Sequence, residues 1–281
     1  MQKKYANLTE LHKDRDHVIL TAHRGASADC PDNTLPAFER AVAAGCDLIE
    51  FDLRASSEGI PIVLHDATLD RTTNGKGEPE KLTLAEIKRL NASYAVGAER
   101  FDEPRMEGVT VPTFEEVLAA FSRRTLMNIQ IYAKSDDVLR EICRLYRAYG
   151  MYDRGYLSIN NREQFDRVRE LDAGIEICFL PGWENRSTPE ALRLCRELGC
   201  RFVQPVRETV TAGTVRAAKK ASAAADGAKS GPSQISPVME RNARLSGTWP
   251  AVWNRLIGYS SFRPDVIRRP TADRRSHRKF S

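Results

Sequence analysis

Glu50 and Asp52 stand two positions apart in IEFDLR (49–54), inside a run that otherwise reads as a fully buried strand. Side chains alternate along a strand, so Glu50, Asp52 and Arg54 share one face while Ile49, Phe51 and Leu53 share the other. A carboxylate taken into a low-dielectric interior picks up a proton, finds a counter-ion or binds a metal, and a pair of them asks for a cation. Other chemical groups fall at matching places. His23 and Arg24 follow directly on VILTA, and His65 and Asp66 follow IPIVL. That puts them at C-terminal strand ends, the edge where parallel α/β folds carry their sites. A lone E-x-D is ordinarily a solvated strand face, and a lone histidine a hydrogen-bonded structural residue. Together they are what a metal-assisted attack on a phosphate diester requires: a cation to neutralise phosphoryl oxygens, an acid and a base, and a guanidinium fork.

Such groups need a scaffold that brings several strand ends to one rim. From the start to about Lys220, short β-rich apolar runs alternate with longer stretches of helical period, the pattern of repeated βα units around a parallel sheet. Seven runs qualify as strands: HVILTAH, CDLIEFDL, IPIVLH, LMNIQIY, GYLSI, IEICFL and RFVQPV. Between them lie helices such as TLPAFERAVAAG, where Leu35, Phe38 and Val42 share a face, Pro36 suits the first turn and Gly45 the C-terminal cap. The 281 residues suffice for one α/β barrel, for which about 250 is typical. The predicted architecture is therefore an α/β, TIM-type (β/α) barrel over residues 1–220, lacking a regular eighth strand. Residues 67–112 are too long for a plain βα connection and read as a lid or substrate-side insertion.

Composition narrows the function class. No stretch approaches the roughly 20 apolar residues of a membrane-spanning helix, and the charged start MQKKYANLTELHKDRDH has no signal-peptide core. The expectation is a cytoplasmic protein without a membrane span. Cys30, Cys46, Cys143, Cys178, Cys195 and Cys200 form no CxxC pair and read as packing thiols of a reducing compartment. The net charge of +5 is unevenly placed: residues 221–281 carry 11 Lys and Arg against 4 Asp and Glu. That segment is rich in Ser, Pro and Arg without sustained periodicity, the composition of a basic, low-order tail. It has no nucleic-acid-binding motif beyond its charge, so no nucleic-acid partner is expected.

The stretch HRGASADCPDNTLPAFERAVAAGCDLIEFDLRASSEGIPIVLHDATLDRTTNGKG resembles the N-terminal half of the glycerophosphodiester phosphodiesterase family, whose pattern runs HRG, (E/D)NT, E-x-D, then HD with LDRTT-x-G-x-G. The similarity continues through VPTFEEVLAAF and MNIQIY and fades after Lys220. The resemblance implies a TIM barrel that hydrolyses small glycerophosphodiesters to sn-glycerol 3-phosphate and an alcohol with a divalent cation, Ca2+ or Mg2+. It also implies that His23 and His65 are the acid/base pair, that Arg24 grips the phosphate, and that Glu50 and Asp52 are metal ligands. Asn33 and Thr34 resemble the family's helix-start residues, and Asp32 stands for its Glu.

This chain departs from the pattern at two places. The family's N-I-E-I-K strand, which supplies a third metal ligand and a lysine near the phosphate, reads Asn128, Ile129, Gln130, Ile131, Tyr132 here. A Gln130 carbonyl oxygen still suits a hard cation, calcium above all, though with weaker electrostatic binding than a carboxylate. Lys134, two residues on, is the candidate phosphate-binding replacement for the lysine, provided the strand runs that far. The family's last strands have no counterpart, since Trp249 and Trp253 sit in the unmatched GTWPAVWNRL. The leading expectation is a metal-dependent phosphodiesterase. The alternatives are a catalytically lapsed barrel that binds a phosphate ligand, or a lipid phosphodiesterase of phospholipase D type, for which the hydrophilic NGKGEPEKL offers no apolar rim.

Overall fold

The computed structural model describes residues 5–14, 17, 19–206, 209–214 and 216, with the backbone of 236–237. Its contacts divide the chain into a unit Met1–Arg244 and a unit Leu245–Ser281, and the described residues all belong to the first. In chain order the elements are α1 (Leu8–Lys13), β1 (Thr21–His23), α2 (Leu35–Ala43), β2 (Leu48–Ala55), β3 (Pro61–Val63), α3 (Leu84–Lys88), β4 (Ala95–Val96), β5 (Glu99–Arg100), α4 (Phe114–Phe121), β6 (Leu126–Ile131), α5 (Asp136–Ala148), β7 (Gly155–Ile159), α6 (Arg162–Leu171), β8 (Ile177–Phe179), α7 (Pro189–Glu197), β9 (Phe202–Val203) and β10 (Ser236–Pro237).

The central ladder is parallel and runs β1-β2-β6-β7-β8. β10 pairs in parallel with β9 as a separate two-stranded ladder, so among the described residues the sheet is not closed into a complete barrel. Strand alternation sorts the side chains into two environments. Ile49, Phe51, Leu53, Met127, Ile129, Ile131, Leu157 and Ile159 face the helices in one large core with Phe38, Phe114 and Phe121. The opposite face begins with a bottom layer of Leu48, Leu126, Tyr156, Cys178 and Phe202, sealed by Leu8 and Leu11 of α1. Above it the same face turns polar: Asn128 accepts a hydrogen bond from the Ser158 hydroxyl at 2.6 Å, and Ser158 accepts one from the Gln204 amide at 3.1 Å. Glu50 and Asp52 belong to this polar level.

Thr34 caps α2, accepting the Ala37 N–H on its hydroxyl, with Pro36 in the first turn as expected. Capping boxes at Thr83/Glu86 and Thr113/Glu116 start α3 and α4.

IPIVLH corrects one expectation. It was expected among the parallel strands, but β3 pairs antiparallel with β2 in the register Leu53↔Val63. Only residues 56–60 separate the two strands, whereas a parallel crossover takes a dozen or more. Residues 67–112 fold as a compact excursion whose Leu69, Ile87, Val109 and Val111 pack with Ile62 of β3 and Leu64 in one apolar cluster. The basic segment after 220, with Trp249 and Trp253, lies outside the described residues apart from β10. No described helix is long and apolar enough to cross a membrane, and no disulfide joins the six cysteines.

Phe51 is fully buried and sits between Phe38 and Phe114, with ring centroids 5.6 and 6.0 Å away. Phe51→Ala should lower the unfolding free energy by about 3–5 kcal/mol. A urea midpoint shift at unchanged slope would measure it, with Leu20→Ala at an exposed position as a near-neutral control.

Candidate active site

β1 sits beside β2 in the register His23↔Glu50, and β2 beside β6 in the register Asp52↔Gln130. Three neighbouring strands therefore deliver His23 and Glu50 to one inward row and Asp52 and Gln130 to the next. Immediately after β1 the chain turns through two left-handed residues, Arg24 at φ 57° and Gly25 at φ 80°. The conformation is costly for an arginine. It aims the Arg24 N–H at the Glu50 carboxylate, 2.9 Å away. Gly25 is required for space as well: a Cβ there would lie 2.7 Å from the Ala37 backbone, where the Ala26 N–H meets the Ala37 carbonyl at 2.9 Å. Asn33, also left-handed at φ 59°, donates its amide to Asp52 at 2.8 Å.

Glu50 and Asp52 are 0% and 1% exposed, which makes their charges a matter for neighbouring groups rather than water. The Arg24 guanidinium answers first, with Nε 3.4 Å from Asp52 and NH1 3.5 Å from Asp32. His23 Nε2 lies 3.9 Å from Glu50. Beyond Asp32 the array continues through Arg71, which sequence reasoning missed. Arg71 reaches Asp32 at 3.0 Å and Asp66 at 2.6 Å, and donates to the Gly97 carbonyl at 2.9 Å. Asp66 in turn meets His65 Nδ1 at 2.8 Å. Opposite charges thus alternate from Asp52 through Arg24, Asp32, Arg71 and Asp66 to His65. Arg71 lies inside LDRTT, but nothing local shows that its partners sit 39 and 5 residues away.

The electrostatics follow from these contacts. Hydrogen bonding by His65, then by Arg71, holds the Asp66 carboxyl well below the usual carboxylate range, against the opposing effect of burial. Arg71 pays for burial, yet its bonds to Asp66 and Asp32 raise its pKa above the ordinary value. Tyr132 is pushed up to about 12 by burial and by the charges of Asp52 and Glu50, so its phenol stays neutral.

Gln130 donates its amide to the Tyr132 hydroxyl at 2.7 Å, and the Tyr132 ring stands edge-on to His65 with centroids 5.4 Å apart. Lys134 is a different matter. β6 stops at Ile131 and Lys134 is exposed in the irregular segment after it, so the strand does not run as far as Lys134. The ladder between β2 and β6 ends at Leu53↔Ile131, where the Leu53 carbonyl takes the N–H groups of both Tyr132 and Ala133, while β2 itself runs on to Ala55 beside β3.

Among the described residues no three His, Cys, Asp or Glu side chains converge as a metal cage. The donor chemistry nevertheless fits a hard cation. Asp32, Glu50, Asp52 and Asp66 set four carboxylates against the guanidinium groups of Arg24 and Arg71, and the carboxamide of Gln130 adds a neutral oxygen.

The chain matches the model of the glycerophosphoryl diester phosphodiesterase family over residues 23–224. It is 35% identical over 169 residues to a glycerophosphodiester phosphodiesterase of Caldanaerobacter subterraneus subsp. tengcongensis, covering 58% of this chain and 66% of that protein. To one of Bacillus subtilis it is 42% identical over 125 residues, covering 43% and 42%. The match thus spans less than two thirds of either relative's length. A glycerophosphodiester phosphodiesterase structure from Agrobacterium tumefaciens superposes with a TM-score of 0.61 at 25% identity, over 73% of this chain and 84% of that one. An Oleispira antarctica phosphodiesterase, solved in complex with the product sn-glycerol-3-phosphate, shares the fold with a TM-score of 0.63 at 24% identity, over 74% and 81%.

The depressed Asp66 predicts a pH effect on stability. A carboxylate whose folded pKa lies below its unfolded value stabilises the fold above the unfolded pKa, and loses that contribution as pH falls through the folded one. Asp66→Asn should therefore be less stable than the parent near pH 7, and the gap should begin to narrow below about pH 4, the unfolded range, and go on narrowing as the pH falls towards the lowered folded value. Paired denaturation curves at pH 7, 5 and 3 measure it.

Proposed function

The chain belongs to the glycerophosphoryl diester phosphodiesterase family, and from that premise we propose that it hydrolyses glycerophosphodiesters to sn-glycerol 3-phosphate and an alcohol. The observation that carries the proposal is the convergence of His23, Arg24, Glu50 and Asp52 on adjacent parallel strand ends, joined to His65 by a continuous array of charges.

Glu50 and Asp52, with the Gln130 carboxamide, are the residues that would hold a divalent cation, Ca2+ or Mg2+. Bound there, the ion would supply Lewis-acid neutralisation of phosphoryl oxygens. Arg24 offers its guanidinium to a non-bridging oxygen while staying anchored between Asp32 and Asp52. Asp66, kept ionised, accepts the Nδ1 proton of His65, which leaves Nε2 for proton transfer. One of His23 and His65 takes the proton of the attacking oxygen, either of water, which gives glycerol 3-phosphate directly, or of the substrate's own glycerol hydroxyl, which gives a cyclic phosphodiester that water then opens to glycerol 3-phosphate. As the new P–O bond forms, the bond to the alcohol breaks, and the other histidine gives its proton to the departing oxygen.

We place the boundary of the catalytic part near residue 220, where the composition turns basic, and the enzyme in the cytoplasm on its disulfide-free pattern of cysteines. A lapsed barrel that only binds a phosphate ligand is the second reading, favoured by the neutral Gln130–Tyr132 bond beside the carboxylates.

Release of glycerol 3-phosphate from glycerophosphocholine by chelator-treated protein, with and without added calcium or magnesium, separates the two. The proposal expects metal-dependent turnover, lowered about 100-fold or more in His23→Ala and in His65→Ala with the fold intact. Binding of glycerol 3-phosphate without any turnover would favour the lapsed barrel. Gln130→Glu should tighten cation binding in a calorimetric titration, because it adds a third charged oxygen to the pair. An unchanged affinity would remove Gln130 from the ligand set.

A further inference from the structure

We propose that Tyr132 is a positioning residue for His65, holding the imidazole through its ring while Arg54 and Gln130 hold Tyr132. The inference rests on His65 belonging to the proposed acid/base pair.

A histidine's outer side-chain torsion is broad and roughly two-fold, so one hydrogen bond leaves the ring free to swing. The bond from His65 Nδ1 to Asp66 at 2.8 Å is one such tether. Tyr132 supplies a second, its ring standing at 80° to the imidazole with centroids 5.4 Å apart, the edge-to-face arrangement that aromatic rings favour. Tyr132 is fixed from several sides. Its N–H meets the Leu53 carbonyl at 2.9 Å, and its hydroxyl accepts the Gln130 amide at 2.7 Å. The Arg54 guanidinium lies 5.3 Å from its ring centroid. Arg54 closes the circuit, because its Nε donates to the His65 carbonyl at 3.1 Å. One guanidinium therefore locates both the backbone of His65 and the ring that limits its side chain. Tyr132 is absent from the buried apolar clusters of the described residues. Its contacts are with His65, Gln130 and Arg54, which is the pattern of a site residue rather than of core filling.

The test compares Tyr132→Leu, which removes the ring, with Tyr132→Phe, which keeps the ring and loses only the hydroxyl. Misplacing a proton-transfer group by about 1 Å costs up to about 100-fold. Tyr132→Leu should lower kcat for glycerophosphocholine by roughly 10- to 100-fold with KM little changed, and Tyr132→Phe should recover most of the loss. An activity-independent readout is the NMR relaxation of the His65 ring proton–carbon signal, which should report an ordered imidazole in the parent and in Tyr132→Phe. In Tyr132→Leu the His65 ring should become mobile while the His23 ring keeps its order. If the parent hydrolyses no diester, the functional reading fails and the NMR comparison still decides the positioning. Should Tyr132→Leu not fold, Tyr132→Met serves in its place. A folded ring-less variant whose His65 ring stays as ordered as the parent's overturns the proposal, as does one whose kcat matches the parent's.

Discussion

Two carboxylates without solvent, Glu50 and Asp52, set the terms for everything around them. Their charge must be met by groups fixed in place, since removing a partner from a buried ion costs several kcal/mol, on the order of 3–5. The chain meets it with a strained turn, where Arg24 takes a left-handed conformation and Gly25 lets the turn lie against α2. Asn33, left-handed as well, brings an amide to Asp52 from the start of the same helix. The HRG and NT segments are thus one device: each bends the backbone so that a donor faces a buried carboxylate.

The barrel strands make that device possible because their two faces do different work. Outward side chains are aliphatic and aromatic and bind the helices, which leaves the upper part of the interior face free for polar groups. Inward side chains change character with height: an apolar floor sealed by α1, then polar rows in which Glu50 stands beside Asn128 and Asp52 beside Gln130 and Ser158, with Asn128, Ser158 and Gln204 bonded to one another. Hydrogen bonds among those three side chains keep these polar groups satisfied beside the carboxylates.

The excursion over residues 67–112 belongs to the site electrostatically. Arg71 joins Asp32, at the foot of α2, to Asp66, just after β3. Arg54 pairs with Glu80 of the excursion at 3.7 Å while holding the His65 carbonyl. The neutral Tyr132 adds no charge to a region already rich in carboxylates, and its raised pKa has the same source as the demand for cations, the charges of Asp52 and Glu50 after burial itself.

The sequence by itself determined the alternation that turns Glu50 and Asp52 inward, the strand-end placement of His23 and Arg24, the parallel α/β class and the cap of α2. Each is a matter of local period or of residue type at a turn, which a short window contains. It left the direction of IPIVLH misjudged, although the brief connection from β2 held the clue. It overlooked α1 as the floor of the interior, because a six-residue helix of mixed charge has little periodicity to show. Only the tertiary structure decided that Arg71 links two halves of the site, that Lys134 stands past the end of its strand, and that Tyr132 meets His65. Those facts depend on where separate segments come to lie beside one another, and a buried charge chooses its partners by distance in space rather than along the chain.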